Sequence, residues 1–138
     1  MVTLISNAGQ VGVTPSVAAA LRAFEAGVRD LYGPHLVKLV LFGSRARADA
    51  KADSDIDIVV VLDHIDDRAV ERNRLADIAY EAIVEHSLEI QAWPIARAEW
   101  LDPTQHRNPE LVRAMKRDGL ELNSIYDPRL PAQGLSQR

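Results

Sequence analysis

Between residues 15 and 32 apolar side chains recur at intervals of four and three, at Val17, Leu21, Phe24, Val28 and Leu31. That is the spacing of one helical face. Thr14 supplies a cap and Pro15 suits the first helical position, so the helix starts there. Gly33-Pro34 stops it. Residues 36–42 are strongly apolar, interrupted only by Lys38, which predicts a strand buried on most of both faces. Residues 44–51 predict a short helix or irregular turn with Ser44 as its cap. Residues 56–62 predict a second strand, rich in β-branched side chains. Asp66 or Asp67 can cap a long helix ending near His86. Its predicted inner stripe is Val70, Leu75, Ile78, Ala79, Ala82 and Ile83; Arg68, Glu71, Arg72, Asp77, Glu81 and Glu85 form the outer face.

In residues 88–93 the period falls to two. Leu88, Ile90 and Ala92 face one way and Glu89, Gln91 and Trp93 the other, which predicts a third strand with one polar face. Asn108-Pro109 starts a last helix, with Leu111, Val112 and Met115 inward and Gly119 just past its end. The order helix, strand, short helix, strand, helix, strand, helix predicts an α/β (α+β) fold, a small mixed sheet flanked by helices. From Ser124 onward the chain loses periodicity and is punctuated by Pro128, Pro131 and Gly134. The expected division is one domain over residues 1–126 and a C-terminal tail over 127–138.

A chain of 138 residues is long enough for one domain with a real core. Its net charge of -4 and pI near 5.5 argue against broad binding to a nucleic-acid backbone. Cysteine is absent, which excludes disulfides and thiolate metal sites. Residues 1–13 lack the basic and apolar segments of a signal peptide. No apolar run approaches the ~20 residues that span a bilayer. The expectation is a cytoplasmic protein with no membrane partner.

The residues that carry chemistry are close together in sequence. Asp55 and Asp57 open the second strand, and residues i and i+2 of a strand share a face. Two carboxylates held that close repel unless a cation lies between them, and hard oxygen ligands suit a divalent metal. Gly43-Ser44 ends the first strand at a turn whose N–H groups can meet a phosphate. His35, His64, His86 and His106 show no metal-ligand spacing with one another.

Gly43-Ser44, ten intervening residues and Asp55-Ile56-Asp57 resemble the signature of the nucleotidyltransferase superfamily related to DNA polymerase β. The fuller string, Gly43-Ser-Arg-Ala-Arg-Ala-Asp followed by Asp53-Ser-Asp-Ile-Asp-Ile-Val-Val, is similar to the minimal nucleotidyltransferases, small antitoxins encoded beside HEPN-domain toxins. The resemblance runs from about residue 36 to 126; Ala48 stands where glycine is frequent. It implies a polymerase β-like palm fold. It also implies transfer of a nucleoside monophosphate from ATP to a hydroxyl, with pyrophosphate leaving. Asp55 and Asp57 would hold Mg2+ (or Mn2+), and Glu89, on the strand after the long helix, would be the third catalytic carboxylate and metal ligand. Gly43 and Ser44 would hold the triphosphate, with Arg45 or Arg47 reaching a phosphate. The implied partner is a HEPN-domain toxin, modified with AMP on a tyrosine and held in a hetero-oligomer. Two rivals stand beside this reading: transfer to a small molecule, and a non-catalytic module that neutralises its partner by occlusion.

Overall fold

The Thr14 hydroxyl accepts the Val17 N–H at 3.2 Å, and helix α1 (Pro15–Tyr32) follows. In this computed structural model, which describes residues 13–47, 50, 51 and 54–122, the next elements are strands β1 (Leu36–Phe42) and β2 (Ile56–Leu62). Helix α2 (Arg68–His86) begins at Asp67, whose carboxylate accepts the Ala69 and Val70 N–H groups. Strand β3 (Ile90–Ala96), helix α3 (Arg97–Leu101), helix α4 (Pro109–Asp118) and the two-residue strand β4 (Leu120–Glu121) complete the chain.

The sheet is mixed, in the order β3-β2-β1-β4. β1 runs antiparallel to both β2 and β4, while β2 and β3 are parallel. Its two faces are covered differently. On one, Leu39, Leu41, Ile56, Ile58, Val60, Leu62 and Ile90 pack under α1 and α2, against Val17, Leu21, Phe24, Val28, Leu75, Ala79 and Ala82. On the other, Val40, Val59, Val61 and Ile95 pack under Trp100, Val112 and Met115 of α3 and α4. This second layer reaches Val59 on β2. Asp57, two residues earlier on the same face, is half-buried, and Asp55 is exposed. One end of one sheet face therefore stays open, and both carboxylates stand on it.

The predicted helices and strands form, with four corrections. β3 starts at Ile90 and continues through Pro94 to Ala96, later at both ends than the strand predicted over 88–93. In the parallel register with β2, the Ile56 N–H donates to the Glu89 carbonyl at 2.8 Å, so β3 residues of Glu89 parity turn their backbone groups toward β2. Pro94 has the other parity, and its missing N–H faces the open edge of the sheet at no cost. The stripe of α2 is narrower than predicted: Leu75, Ala79 and Ala82 are buried, but Val70 is 40% and Ile83 36% exposed. On α1 the inward position is Tyr32, while Leu31 is exposed. Ser44 caps nothing; it lies inside a 3-10 turn over Gly43–Arg45 that has no side-chain cap. α3 and β4 were not predicted. β4 forms because Gly119 passes so close to Val40 and the Met115 carbonyl that no side chain fits there. The predicted tail, and the last residues of the predicted domain, lie outside the described residues. Among the described residues no helix is long and apolar enough to cross a membrane.

Tyr32 ties α1 to α2. Its hydroxyl donates to Glu71 at 2.7 Å, and burial, then the Glu71 carboxylate, push the phenol well above its ordinary pKa. Tyr32→Phe removes this bond while Glu71 keeps Arg74, and is expected to cost about 1 kcal/mol of unfolding free energy in urea melts.

Candidate active site

Phe42 on β1 pairs with Asp57 on β2, so the end of β1 delivers the next residue, Gly43, against the Asp57 carboxylate. Gly43 has φ +76, in the left-handed region that favours glycine. A Cβ there would run into Asp57 Oδ2. Conformation and space thus both demand glycine at this point. The chain then turns, with the Ala46 and Arg47 N–H groups both donating to the Gly43 carbonyl at 3.1 Å.

The same turn sends Arg45 inward. The side chain is 2% exposed, and Nη2 donates to the carbonyls of Lys51 at 3.2 Å and Ser54 at 2.9 Å. Lys51 and Ser54 also bond to each other: the Lys51 N–H donates to Ser54 Oγ at 2.8 Å, and the Ser54 N–H to the Lys51 carbonyl at 3.0 Å. Arg45 was expected to reach a phosphate. Instead it pins the connection that leads into Asp55, where charge-assisted bonds from Nη2 to backbone carbonyls offset part of the cost of burying the guanidinium. Arg47 is exposed and near enough for its charge to act on Asp57. Ala48, the departure from the family pattern, lies outside the described residues.

Asp55 and Asp57 are brought together as the strand period requires. The Asp57 carboxyl has a raised pKa. Burial is the largest cause, and the charge of Asp55 adds to it; the Trp93 indole N–H and Arg47 pull the other way. The rise was expected from repulsion, yet desolvation contributes more, because Asp57 is wedged between Gly43 and β3. A divalent cation fits this place: the donors are hard oxygens on one face, and a positive charge would relieve both causes of the rise.

Glu89 lies just before β3 on the same side of the sheet, level with Asp55. It is exposed, and its carboxylate accepts the Gln91 side-chain N–H at 3.0 Å. Among the described residues, no three acidic, histidine or cysteine side chains converge as a metal-binding group. The residue opposite Asp57 on β3 is Gln91. Trp93 pairs with Val59 and so stands one step along the same face of the sheet from Asp57. That proximity was missed from the sequence, although the alternation had already placed Trp93 on the polar face with Glu89.

A raised folded-state pKa for Asp57 means that its ionisation opposes folding. Below about pH 4, the ordinary aspartate value, the group is protonated in both states and there is no penalty. The penalty grows as pH rises through the folded pKa. With chelator present, Asp57→Asn is therefore expected to melt higher than the wild type at pH 7, and the gain should vanish at low pH. Thermal melts across pH check this; a gain independent of pH contradicts it. Gly43→Ala should melt lower at every pH.

The family model described as "Nucleotidyltransferase domain" matches residues 21–118. A Methanocaldococcus jannaschii protein named "Putative protein adenylyltransferase" is 35% identical over 63 residues, which cover 45% of this chain and 43% of the relative. The chain thus matches under half of that relative's length. A solved structure, described as a "putative nucleotidyltransferase from Sulfolobus solfataricus", is similar at 20% identity and a TM-score of 0.44, over 77% of this chain and 84% of that one. The family match spans well over half of this chain and includes Gly43, Asp55 and Asp57, and the chain belongs to the nucleotidyltransferase domain family.

Proposed function

We propose that this protein is a metal-dependent nucleotidyltransferase that moves AMP from ATP to a hydroxyl of another protein. The observation that carries the reading is the pairing of Asp55 and Asp57 on the open sheet face, directly against the Gly43 turn. Family membership supports nucleotidyl transfer. The M. jannaschii relative, named for protein adenylylation, supports a protein acceptor. The similarity of the 43–60 string to minimal nucleotidyltransferases supports a HEPN-domain toxin as that acceptor, with a tyrosine as the modified residue and neutralisation as the outcome.

Asp55 and Asp57 would hold Mg2+ or Mn2+, with Glu89 as a third ligand once its side chain leaves Gln91. The bound ion supplies neutralisation of phosphate charge and Lewis acidity. The turn bonds the Ala46 and Arg47 N–H groups internally, so the Ser44 N–H at its start would be the one to meet a phosphate. The Ser44 hydroxyl adds a donor, and Arg47 adds positive charge. The acceptor hydroxyl gives up its proton to solvent, its oxygen bonds to the α-phosphorus, the bond to the bridging oxygen breaks and pyrophosphate leaves. These residues contribute chiefly positioning and preorganised charge.

The test is incubation with ATP, magnesium and the product of the adjacent gene, followed by intact mass measurement. An AMP-sized increment on the partner is expected, lost with Asp55→Asn or with chelator. A tight complex without any increment would favour occlusion. Modification of small hydroxyl compounds alone would point to a small-molecule transferase.

A further inference from the structure

β3 is an outer strand: among the described strands it pairs with β2 alone. Its backbone groups alternate. Those of Gln91 and Trp93 turn toward β2, by the parity that the bond from Ile56 to Glu89 sets, and those of Ile90, Ala92, Pro94 and Ala96 turn outward. Pro94 has no N–H, and its carbonyl accepts Arg68 Nη1 at 2.5 Å. The Ala96 N–H donates to Glu99 at 2.9 Å, and Glu99 pairs with Arg68 at 2.6 Å. The starts of α2 and α3 are thereby fastened to the strand, and its edge is engaged from Pro94 onward. At Ile90 and Ala92 it is open: among the described residues, nothing bonds to their outward N–H and C=O groups.

The open stretch is level with the candidate site. Ile90 and Ala92 bracket Gln91, which pairs with Asp57. An unpaired strand edge is a template for a further strand, and here the template is confined to the level of the carboxylates. On the helical face beside it, a groove between α2 and β3 is lined by Arg72, Ala76, Ala79, Ile90 and Ala92. Arg72 is exposed and has no ion-pair partner among the described residues.

We propose that an extended segment of the acceptor protein adds to this edge, hydrogen-bonded to Ile90 and Ala92, with its tyrosine on the Asp57 face and an acidic residue next to the tyrosine meeting Arg72. The proposal rests on the reading of this protein as a transferase to a protein hydroxyl, and adds where the acceptor lies and what flanks its hydroxyl. In strand addition main-chain bonds give affinity, and side chains at alternate positions give specificity. The neighbours of the tyrosine point to the opposite face, where α2 presents Arg72. The added strand would lie two strand spacings, ~10 Å, from β2. Tyrosine is long enough to bring its oxygen back across β3 toward Asp57, whereas serine and threonine end within the first spacing.

The test uses the full chain with ATP and Mn2+ and short synthetic peptides, rich in valine and threonine, with one central tyrosine. Aspartates flank the tyrosine in one peptide and lysines in the other. Intact mass reads AMP transfer, and fluorescence anisotropy of a labelled non-hydrolysable ATP analogue reads nucleotide binding. The aspartate peptide should be modified about tenfold faster than the lysine peptide, and Arg72→Glu should invert that preference. Threonine in place of the tyrosine should end transfer. N-methylation of one alternate set of peptide amides should abolish transfer and of the other set should not, because only one set faces β3. Ala92→Pro removes an outward N–H and repeats what β3 accommodates at Pro94; it should abolish transfer with nucleotide affinity unchanged. Equal rates for the two peptides, a preference that survives Arg72→Glu, or equal effects of the two methylated sets overturns the docking and leaves the transferase reading intact. If neither peptide is modified, the product of the adjacent gene decides. Its modification lost in Ala92→Pro, with nucleotide still bound, supports the docking, and its modification at the wild-type rate overturns it. Transfer to no peptide and no protein overturns the underlying reading as well.

Discussion

Asp55 and Asp57 repel each other, and the fold holds them together nonetheless. The strand period puts both on one face, and the first sits one residue before β2, where apolar burial cannot be gained. The second helical layer covers Val59 and Val61 and goes no further. A complete layer would bury both charges at a cost of several kcal/mol each. The exposed end of the sheet is therefore where such a pair can exist, and Gly43, Arg45 and Trp93 are arranged around it.

Each neighbour has a separate mechanical task. Gly43 lets backbone approach the Asp57 carboxylate, and Arg45 ties down the carbonyls of Lys51 and Ser54 that precede Asp55. The Arg68–Glu99 pair fastens the outer strand to two helices. Buried charges serve positioning here, while Arg47 and Glu89 stand exposed beside the site. The two helical layers thus divide the work. α1 and α2 supply most of the apolar burial, while α3 and α4 set the boundary of the open face.

Much of this was legible in the sequence because the relevant physics is local. The β-branched run 56–62, the Asp67 cap, the stops at Gly33 and Gly119 and the shared face of Asp55 and Asp57 all follow from neighbours in the chain. What escaped depends on distant contacts. The alternation over 88–93 stops short of Pro94, which β3 accommodates because it is an edge strand. The burial of Arg45 escaped because its partners are backbone carbonyls, which no residue type reveals. Val70 and Ile83 have helical spacing but point past the sheet. Trp93 stands near Asp57 through the parallel pairing of β2 with β3, a register that sequence alone leaves open.

The most direct measurement is anomalous diffraction from a crystal grown with Mn2+ and a non-hydrolysable ATP analogue. The account predicts a manganese peak shared by the Asp55 and Asp57 carboxylates, with the triphosphate lying over the Gly43–Ser44 turn. A nucleotide bound elsewhere, or a manganese peak away from both carboxylates, would contradict it.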